Sequence, residues 1–321
     1  MRKILYSGFG WANNIGNSFI DYGIIHCLNQ SKKEEDILEL VSNTTSFHKR
    51  KVHKGFPYRY FPKRTSSPPD FRTLVKHDFV VFGGSLLDPY WFAHNQEYLE
   101  YLKETKTKII LLGVGGGNLY SESKFRFVES ILKNLNIYAL VTRDEPTYNK
   151  FHKYAKYSYN GIDNALFLND VYTPTSWYGK NMGVFVFDFH KEPKIEPFTK
   201  DLKIFRIHNS LTDMVGYQSF LKNPFKQKRW IQESIVVSDH PYEYLNVFGN
   251  SSETYSDRVH ACIATLIYGG KAKYFDDSGR ANLFERIGIG NIRNNLMTLD
   301  MSFIEKEKEK QLAFLNKIFS E

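Results

Sequence analysis

The stretch Lys108–Asn118, with the sequence KIILLGVGGGN, decides the fold class of this chain. Its first half is an apolar run of strand length that passes directly into a run of glycines. An apolar segment ending in glycines or charges recurs at Asp78–Ser85 and at Tyr138–Glu145, and helical stretches separate these segments. Such alternation predicts an α/β protein with a parallel sheet, in which binding sites lie at the carboxyl ends of the strands.

The chain divides near residues 171–181, where a proline and a glycine interrupt the pattern. Apolar segments resume beyond this break and predict four further strands, at Val184–Phe189, Lys203–Ile207, Ser234–Val237 and Lys273–Phe275. We therefore predict two Rossmann-like domains, residues 1–175 and 176–300. The last residues, 301–321, form a charged amphipathic pattern and predict a helix that could cross back to the N-terminal domain.

The N-terminal residues predict structure rather than a targeting segment. Arg2–Tyr6 has the composition of a first strand, and a helix is predicted near Ile15–Leu28. The apolar region is shorter than a signal peptide needs, and no stretch of eighteen apolar residues follows. We expect a cytoplasmic location.

The net charge of +8 indicates an anionic partner. A phosphorylated substrate, an acidic glycan, a membrane surface and a nucleic acid all fit this charge. No RNA-binding signature or zinc-finger spacing is present, so we expect no nucleic acid partner. The two cysteines and the scattered histidines suggest neither a disulfide framework nor a metal site, so no metal is expected.

The segment 42–69 is basic and aromatic, with seven Lys or Arg and no acidic residue. One interpretation is a flap that covers an acidic acceptor, because long irregular segments inside compact domains are often functional. The other is a solvated excursion that a few rings anchor. We favour the second slightly.

The segment Thr254–Gly269 predicts a helix that begins beside charged residues. Its apolar residues recur at helical spacing, and Gly269 follows at the position that commonly ends a helix. Ser256 or Asp257 is expected to cap the helix. Arg258 and His260 would then lie in the first turn, where free N–H groups already favour an anion. Alternatively, Arg258 pairs with an acid and His260 has only a capping role.

Two further arginines follow predicted strands. Arg143 directly follows the strand predicted at Tyr138–Thr142, so its charge should point into the crevice. Asp144 should cap the next helix, with Pro146 in the first turn. Arg280 follows the strand predicted at Lys273–Phe275 and would emerge near the same crevice. An ordinary surface arginine is the alternative for Arg280.

Glycine and asparagine turns supply the remaining candidates. Gly115 and Gly116 lie in a loop that resembles a dinucleotide-binding fingerprint, but Asn118 stands at the position of its last glycine. We therefore expect a close approach of the loop backbone rather than NAD binding. The turn at Gly84 and Ser85 could offer N–H groups to an anion. Asn14 and Asn17, at the start of the first helix, could bind a substrate hydroxyl or only form a capping turn.

These motifs, in this order, resemble the polysaccharide pyruvyl transferase family. The resemblance spans about residues 4–289, and Asp257–Ala261 (DRVHA) is its most specific part, while the glycine loops are weak alone. It implies a GT-B-like fold, in which two Rossmann-like domains face each other across a cleft. It also implies transfer of pyruvate from phosphoenolpyruvate to two hydroxyls of a sugar, as a cyclic ketal.

The resemblance also assigns roles to residues. It implies donor binding by Arg143, His260 and Arg280, the last standing where the family usually has lysine. With the residue-based candidates, the predicted donor site comprises Arg143, Arg258, His260, Arg280, Gly115 and Gly116, with His260 and Arg143 catalytic. The predicted acceptor site comprises Asn14, Asn17, Gly84, Ser85 and Asn118. Asn17 stands where the family often has aspartate, so the acceptor or the base can differ.

Three functions remain open from the sequence. The first is a pyruvyltransferase that uses phosphoenolpyruvate as co-substrate, needs no other cofactor, and acts on a sugar or lipid-linked glycan, with peripheral contact to a membrane surface. The second is a GT-B glycosyltransferase with a nucleotide-sugar donor, because the same helix start could hold a diphosphate. The third is a glycan-binding protein without catalysis.

Overall fold

A computed structural model describes residues 1–11, 14–42, 70–116, 121–177, 182–199, 202–210 and 235–321. The described chain forms two parallel sheets with helices packed around them. The first sheet has six strands, which are β1 (Lys3–Gly8), β2 (Ile37–Ser42), β3 (Phe79–Gly83), β4 (Lys108–Val114), β5 (Ile137–Thr142) and β6 (Tyr157–Asn160). Their order across the sheet is β2-β1-β3-β4-β5-β6.

The central strands of this sheet are buried on both faces. In β4 the six residues after Lys108 are all buried, as expected for a parallel strand covered by helices on both sides. Side chains alternate between the faces, so Ile110 packs into one apolar cluster and Ile109 into the other. The first-sheet helices are α1 (Gly16–Ser31), α2 (Pro89–His94), α3 (Gln96–Glu104), α4 (Glu122–Leu132), α5 (Glu145–Phe151) and α6 (Leu168–Val171).

The second sheet has four short strands in the order β10-β9-β7-β8. These are β7 (Met182–Val186), β8 (Lys203–Arg206), β9 (Glu253–Ser256) and β10 (Lys271–Tyr274). The helices of this part are α7 (Pro241–Gly249), α8 (Val259–Ile267) and α9 (Asn282–Arg286). One apolar cluster joins the two parts, since it contains Phe19 of α1 and Phe248 of α7, whose rings meet edge to face.

The last helix, α10 (Met301–Ser320), packs against the first sheet. The Phe319 ring meets Phe79 of β3, and the Gln311 side chain accepts a hydrogen bond from the backbone N–H of Ile162. Asp300 caps the start of this helix by accepting from the N–H groups of Ser302 and Phe303. The division of the chain at residues 175 and 176 stays a prediction.

Several predicted elements differ from those observed. Strands β2, β6 and β9 are not among the predicted strands. The sequences of β6 (YSYN) and β9 (ETYS) contain no apolar run, whereas β2 (ILELVS) is largely apolar and was overlooked. The strand predicted at Val184–Phe189 is wrong beyond Val186, because the N–H groups of residues 188–190 donate to the Asp257 carboxylate rather than to a neighbouring strand. Of the strand predicted at Ser234–Val237, the described part contributes only an isolated bridge between Val236 and Ile207.

No helix in the described ranges is long and apolar enough to cross a membrane. The segment 43–69, which includes nearly all of the basic aromatic stretch, lies outside the described residues, as does Asn118. Predictions on these residues therefore stay untested.

Candidate active site

The carboxyl ends of both sheets meet around one cavity of about 570 Å³. Parallel strands of a sheet all end at the same edge, so the segments after them converge there. Seven residues predicted from the sequence line this cavity, namely Asn14, Asn17, Ser85, Arg143, Arg258, His260 and Arg280. The structure therefore brings the predicted donor cations and three of the predicted acceptor residues to one place.

A buried carboxylate joins Arg143 to His260. Arg143 follows β5, and its Nη1 atom lies 2.7 Å from Oδ2 of Asp163, which follows β6. Nε2 of His260, from α8 of the second sheet, lies 3.4 Å from the same Oδ2 atom. The side chain of Asp163 is completely buried, and its other oxygen accepts from the N–H of Ala165. One carboxylate thus orients two candidate catalytic groups from different sheets.

The charge of Asp163 is stabilised by these partners. Burial raises the pKa of this carboxyl, but attraction to His260 and Arg143 and the hydrogen bonds that it accepts more than offset the effect of burial. The net result is a pKa well below the usual value for an aspartate. Asp163 is therefore a carboxylate throughout the neutral range and cannot itself serve as the acid.

A second buried carboxylate, Asp188, organises the opposite part of the predicted motif. Its Oδ2 atom lies 2.7 Å from Nε of Arg258, and its Oδ1 atom lies 2.5 Å from Nδ1 of His208. Burial raises the pKa of Asp188, and the hydrogen bond from His208 and the charge of Arg258 lower it further than burial raises it. The interpretation that Arg258 pairs with an acid is confirmed, and Arg258 still lines the cavity.

The prediction that Ser256 or Asp257 caps the helix is wrong. The N-cap of α8 is Arg258, whose own side chain makes no capping hydrogen bond. Ser256 accepts from the N–H of Arg258, while Asp257 accepts from the N–H groups of residues 188–190 and so holds the turn after β7. Helix α8 begins at Val259, which lines the cavity, and ends as predicted before Gly269, which has a φ of +89°.

The first N–H groups of α8 have no partner inside the helix, as at the start of any α-helix. Val259, His260 and Ala261 all line the cavity, so this helix start faces the same space as the arginines. The positive end of the helix dipole then adds to the attraction for an anion.

Arg258 and Arg280 both lie close to the ring of Phe189. The guanidinium carbon of Arg258 is 3.8 Å from the centre of the Phe189 ring, and that of Arg280 is 5.5 Å from it. Phe189 is half exposed and lines the cavity. Within the described ranges Arg280 makes no ion pair, so its charge is available to a ligand.

The N–H groups of Gly115 and Gly116 are used in hydrogen bonds within the protein. The N–H of Gly115 donates to the carbonyl of Gly84, and that of Gly116 donates to Oγ1 of Thr147. Neither N–H is free for a donor anion, so a direct donor role for these two amides is not supported by the geometry. Gly115 instead gives room to Arg143, because a Cβ atom there would lie 2.6 Å from the arginine Nε.

The capping role predicted for Asp144 is confirmed. Asp144 caps α5 by accepting from the N–H of Thr147 at 2.8 Å, with Pro146 in the first turn. Gly84 has a φ of +90°, a left-handed conformation that favours glycine, and the exposed Ser85 follows it at the cavity.

The asparagines at the start of α1 form a hydrogen-bonded pair. Nδ2 of Asn14 donates to Oδ1 of Asn17 at 3.3 Å, and Nδ2 of Asn17 donates to the carbonyl of Gly10. Both the capping and the binding interpretation are compatible with this geometry, since Asn14 accepts from the N–H of Gly16 and both residues line the cavity. Gly16 also permits a close approach of α8, because a Cβ atom there would lie 3.0 Å from Cβ of His260.

Sequence reasoning missed four residues of this site. Asp163 and Asp188 are charged residues that follow strands, so the reasoning applied to Arg143 would have indicated them had β6 and the end of β7 been placed correctly. Phe189 also follows β7 but carries no charge, so that reasoning does not reach it. Asn209 follows β8 and carried no distinguishing pattern. Among the described residues, no group of three histidines, cysteines or carboxylates is arranged to hold a metal ion. The expectation that no metal is needed stays a prediction.

The sequence comparison gives one family. A family model described as polysaccharide pyruvyl transferase matches residues 14–272, which is well over half of the chain. The match includes Arg143, Asp163 and His260 and ends before Arg280. No curated protein sequence gives a significant match.

Solved structures with similar folds share little sequence with this chain. An S. aureus MnaA–UDP co-structure has a TM-score of 0.55 at 10% identity, covering 100% of this chain and 91% of that one. A putative UDP-N-acetylglucosamine 2-epimerase from Listeria monocytogenes has a TM-score of 0.55 at 9% identity, covering 99% and 90%. UDP-GlcNAc 2-epimerase from Neisseria meningitidis, bound to UDP-GlcNAc, has a TM-score of 0.52 at 10% identity, covering 99% and 94%. These likenesses concern the fold alone and confirm the expected GT-B-like architecture.

Proposed function

The chain belongs to the polysaccharide pyruvyl transferase family, and on this premise we propose that it transfers pyruvate from phosphoenolpyruvate to two hydroxyls of a sugar, forming a cyclic ketal. The observation that supports this most directly is the buried Asp163, which holds Arg143 and His260 together at the cavity where Arg258 and Arg280 also lie. Phosphoenolpyruvate as a donor requires several cations for its anionic groups and one group that transfers a proton.

The donor carries a phosphate and a carboxylate, and both would meet positive charge in this cavity. Arg280 has no ion pair within the described ranges, while Arg143 and Arg258 are each held by a carboxylate and keep further N–H donors. Guanidinium groups bind phosphate and carboxylate through paired N–H donors in a fixed geometry. The open start of α8 adds backbone N–H groups.

The proposed reaction proceeds with phosphate as the leaving group. The methylene carbon of phosphoenolpyruvate gains a proton, and the neighbouring carbon forms two C–O bonds to sugar hydroxyls while its bond to the phosphate oxygen breaks. Of the two hydroxyl protons, one balances the proton delivered to the methylene carbon and the other leaves with the phosphate. Fixed cations stabilise the charge that develops on the leaving oxygen.

His260 is the proposed proton-transferring group, with Arg143 beside it. The Asp163 carboxylate, 3.4 Å from Nε2, orients the ring, and Nδ1 is the proposed atom for proton transfer to or from the reacting groups. The chemistry requires no metal and no cofactor apart from phosphoenolpyruvate as co-substrate. We propose further that the acceptor is a sugar of a cell-surface polysaccharide or its lipid-linked precursor, modified in the cytoplasm and near the membrane surface that the net charge of +8 favours.

The first test is ligand-induced stabilisation. Millimolar phosphoenolpyruvate should raise the melting temperature of the purified protein, because a ligand that binds only the folded state stabilises it. Inorganic phosphate and UDP serve as comparison ligands. Stabilisation by UDP without stabilisation by phosphoenolpyruvate would instead select the glycosyltransferase alternative, and no response to phosphoenolpyruvate would remove the main support for pyruvyl transfer.

The second test is chemical. Mass spectrometry should detect the added pyruvate on a glycan acceptor, and His260→Ala should lower the rate by about 100-fold to 10,000-fold, the range for loss of a general acid or base. His152→Ala is the matched control, since His152 is exposed on the surface beside α5. Equal rates for the two variants would exclude His260 from the proton transfer.

A further inference from the structure

The backbone of Asn209 is fixed at the contact between the two parts of the chain. Its N–H donates to Oδ2 of Asp188 at 3.3 Å, and its carbonyl accepts from the N–H of Ile15 at 2.8 Å. Ile15 is the N-cap of α1, between the cavity residues Asn14 and Asn17. The segment after β8 and the start of α1 are therefore joined at this residue.

The side chain of Asn209 is buried, yet its Oδ1 atom has no hydrogen-bond partner in the described part of the chain. The residue is only 2% exposed, and it lines the cavity. Buried polar atoms in folded proteins are nearly always hydrogen-bonded, and an exception calls for a specific explanation. The backbone of Asn209 is hydrogen-bonded on both sides, so its side chain starts from a fixed position beside the cavity. An unsatisfied acceptor beside a cavity is explained if a bound ligand supplies the donor.

The chemistry of Oδ1 restricts that ligand. An amide oxygen accepts hydrogen bonds only. Phosphoenolpyruvate with ionised phosphate and carboxylate groups has no donor to offer, whereas every sugar hydroxyl has one. Near the start of α1 the same cavity is lined by two neutral amides, Asn14 and Asn17, and the hydrogen bond from Asn14 leaves Oδ1 of Asn17 able to accept a further one.

We propose that Asn209 is a specificity-determining residue, which accepts a hydrogen bond from one hydroxyl of the acceptor sugar. This inference rests on the proposed function and deepens it, since it places the acceptor where the second sheet meets the start of α1. The ligand class is a sugar with a free hydroxyl, and neither the donor nor its phosphate makes this contact.

The decisive experiment combines a variant with altered acceptors. The probe is the p-nitrophenyl hexoside that the wild-type protein pyruvylates best, together with its set of single-deoxy analogues. Removal of one hydroxyl that does not form the ketal should lower kcat/KM of the wild-type protein about tenfold relative to the parent sugar. With Asn209→Leu, the same deoxy sugar and the parent sugar should give equal kcat/KM. The KM for phosphoenolpyruvate should not change in Asn209→Leu. Equal losses in both proteins at every position, or a raised KM for phosphoenolpyruvate alone, would overturn the proposal.

A second measurement needs no acceptor. If Oδ1 of Asn209 is unpaired in the free protein, Asn209→Leu should keep or raise the melting temperature, because an apolar side chain of the same shape replaces an unsatisfied amide. Asn250→Leu is the matched control. Asn250 is similarly buried, but its amide accepts from Trp177 N–H and donates to the carbonyls of Thr175 and Asn246, so its loss should lower the melting temperature. A comparable drop in Asn209→Leu would show a structural role and refute the inference.

Failure of this inference can be separated from failure of the proposed function. Phosphoenolpyruvate should stabilise Asn209→Leu as much as the wild-type protein. If it stabilises neither, the proposed function fails. If it stabilises both, and the variant shows the same pattern of deoxy-sugar losses as the wild-type protein, only the role of Asn209 is refuted.

Discussion

Nη1 of Arg143 lies 2.7 Å from Oδ2 of Asp163, and both side chains are almost fully buried. The two residues follow adjacent strands, β5 and β6, so the pairing comes directly from the parallel register of the first sheet. His260 approaches the same oxygen from the second sheet, at 3.4 Å. One carboxylate therefore fixes the charge arrangement of the cavity and also connects the two sheets that form it.

Asp163→Asn should destabilise the protein and reduce its activity. Removing the charge leaves Arg143 buried without its counter-ion, and breaking a buried pair in this way costs about 3–5 kcal/mol. Urea denaturation at neutral pH measures this loss. Glu122→Gln is the control, because it breaks the exposed pair between Glu122 and Arg126, which contributes about 1 kcal/mol or less. Similar losses in the two variants would contradict a special role for Asp163.

The stabilisation by Asp163 should also depend on pH. The pKa of this carboxyl is lowered in the folded protein, so its contribution is fully present above the unfolded value of about 4 and is lost as the pH falls through the lower folded value. The difference in unfolding free energy between the wild-type protein and Asp163→Asn should therefore shrink only below about pH 4. A difference that shrinks between pH 8 and pH 5 would contradict this assignment.

Gly115→Ala should lower activity through Arg143. The new methyl group would lie within 2.6 Å of the arginine Nε and would have to displace the guanidinium from its pair with Asp163. We expect kcat/KM to fall by about tenfold to 100-fold, since small displacements of catalytic groups have costs of this size. Gly290→Ala is the control, because the atom nearest to its methyl group, at 2.9 Å, would be Cγ of the exposed Glu285 side chain, which can move. Unchanged kinetics in Gly115→Ala would show that Arg143 does not need its observed position.

Arg280→Ala should weaken donor binding, and Arg280→Lys should weaken it less. The residue makes no ion pair in the described ranges, so its charge is available to an anion. Loss of a hydrogen bond between charged groups costs about 1.5–3 kcal/mol, which corresponds to a rise of roughly tenfold to 100-fold in the Kd of phosphoenolpyruvate. Lysine keeps the charge but not the paired donors. Isothermal titration calorimetry measures these values, with the exposed Arg126→Ala as control. Equal affinity in all variants would exclude Arg280 from the donor site.

Asp21→Asn should change how stability depends on pH. Asp21 lies under the turn at residues 8–11 and accepts hydrogen bonds from Tyr6, from Trp11 and from the N–H of Phe9. Burial raises the pKa of this carboxyl to about 6, although the three hydrogen bonds act in the opposite direction. Phe9 has a φ of 66°, so the carboxyl also holds a backbone conformation that most residues avoid.

The direction follows from proton binding. Between about pH 4 and pH 6 the folded protein holds a proton on Asp21 that the unfolded chain releases, so stability falls as the pH rises through this range. The expected fall is about 3 kcal/mol, from the two-unit shift of the pKa. Asp21→Asn has no such proton, and its stability relative to the wild-type protein should rise from pH 4 to pH 7. Parallel curves for the two proteins in urea denaturation would contradict the raised pKa.

Much of the fold and part of the site follow from local patterns. Apolar runs located β1, β3, β4 and β5, because buried parallel strands need apolar side chains on both faces. The cap at Asp144 and the helix end before Gly269 were predicted from single residues, since both depend on hydrogen bonds within a few positions of the chain. The short motif DRVHA, with the order of the glycine loops, was sufficient to predict the family and the cavity cations.

The tertiary structure alone decided which groups meet. Asp163 and His260 are 97 positions apart, and Asp257 bonds to a turn 67 to 69 positions away rather than to its own helix. The unpaired oxygen of Asn209 is also visible only when both sheets are in place. Local patterns specify strands and helix ends because those depend on near neighbours. The partners of a buried charge depend on how the two sheets pack, and no local pattern contains that information.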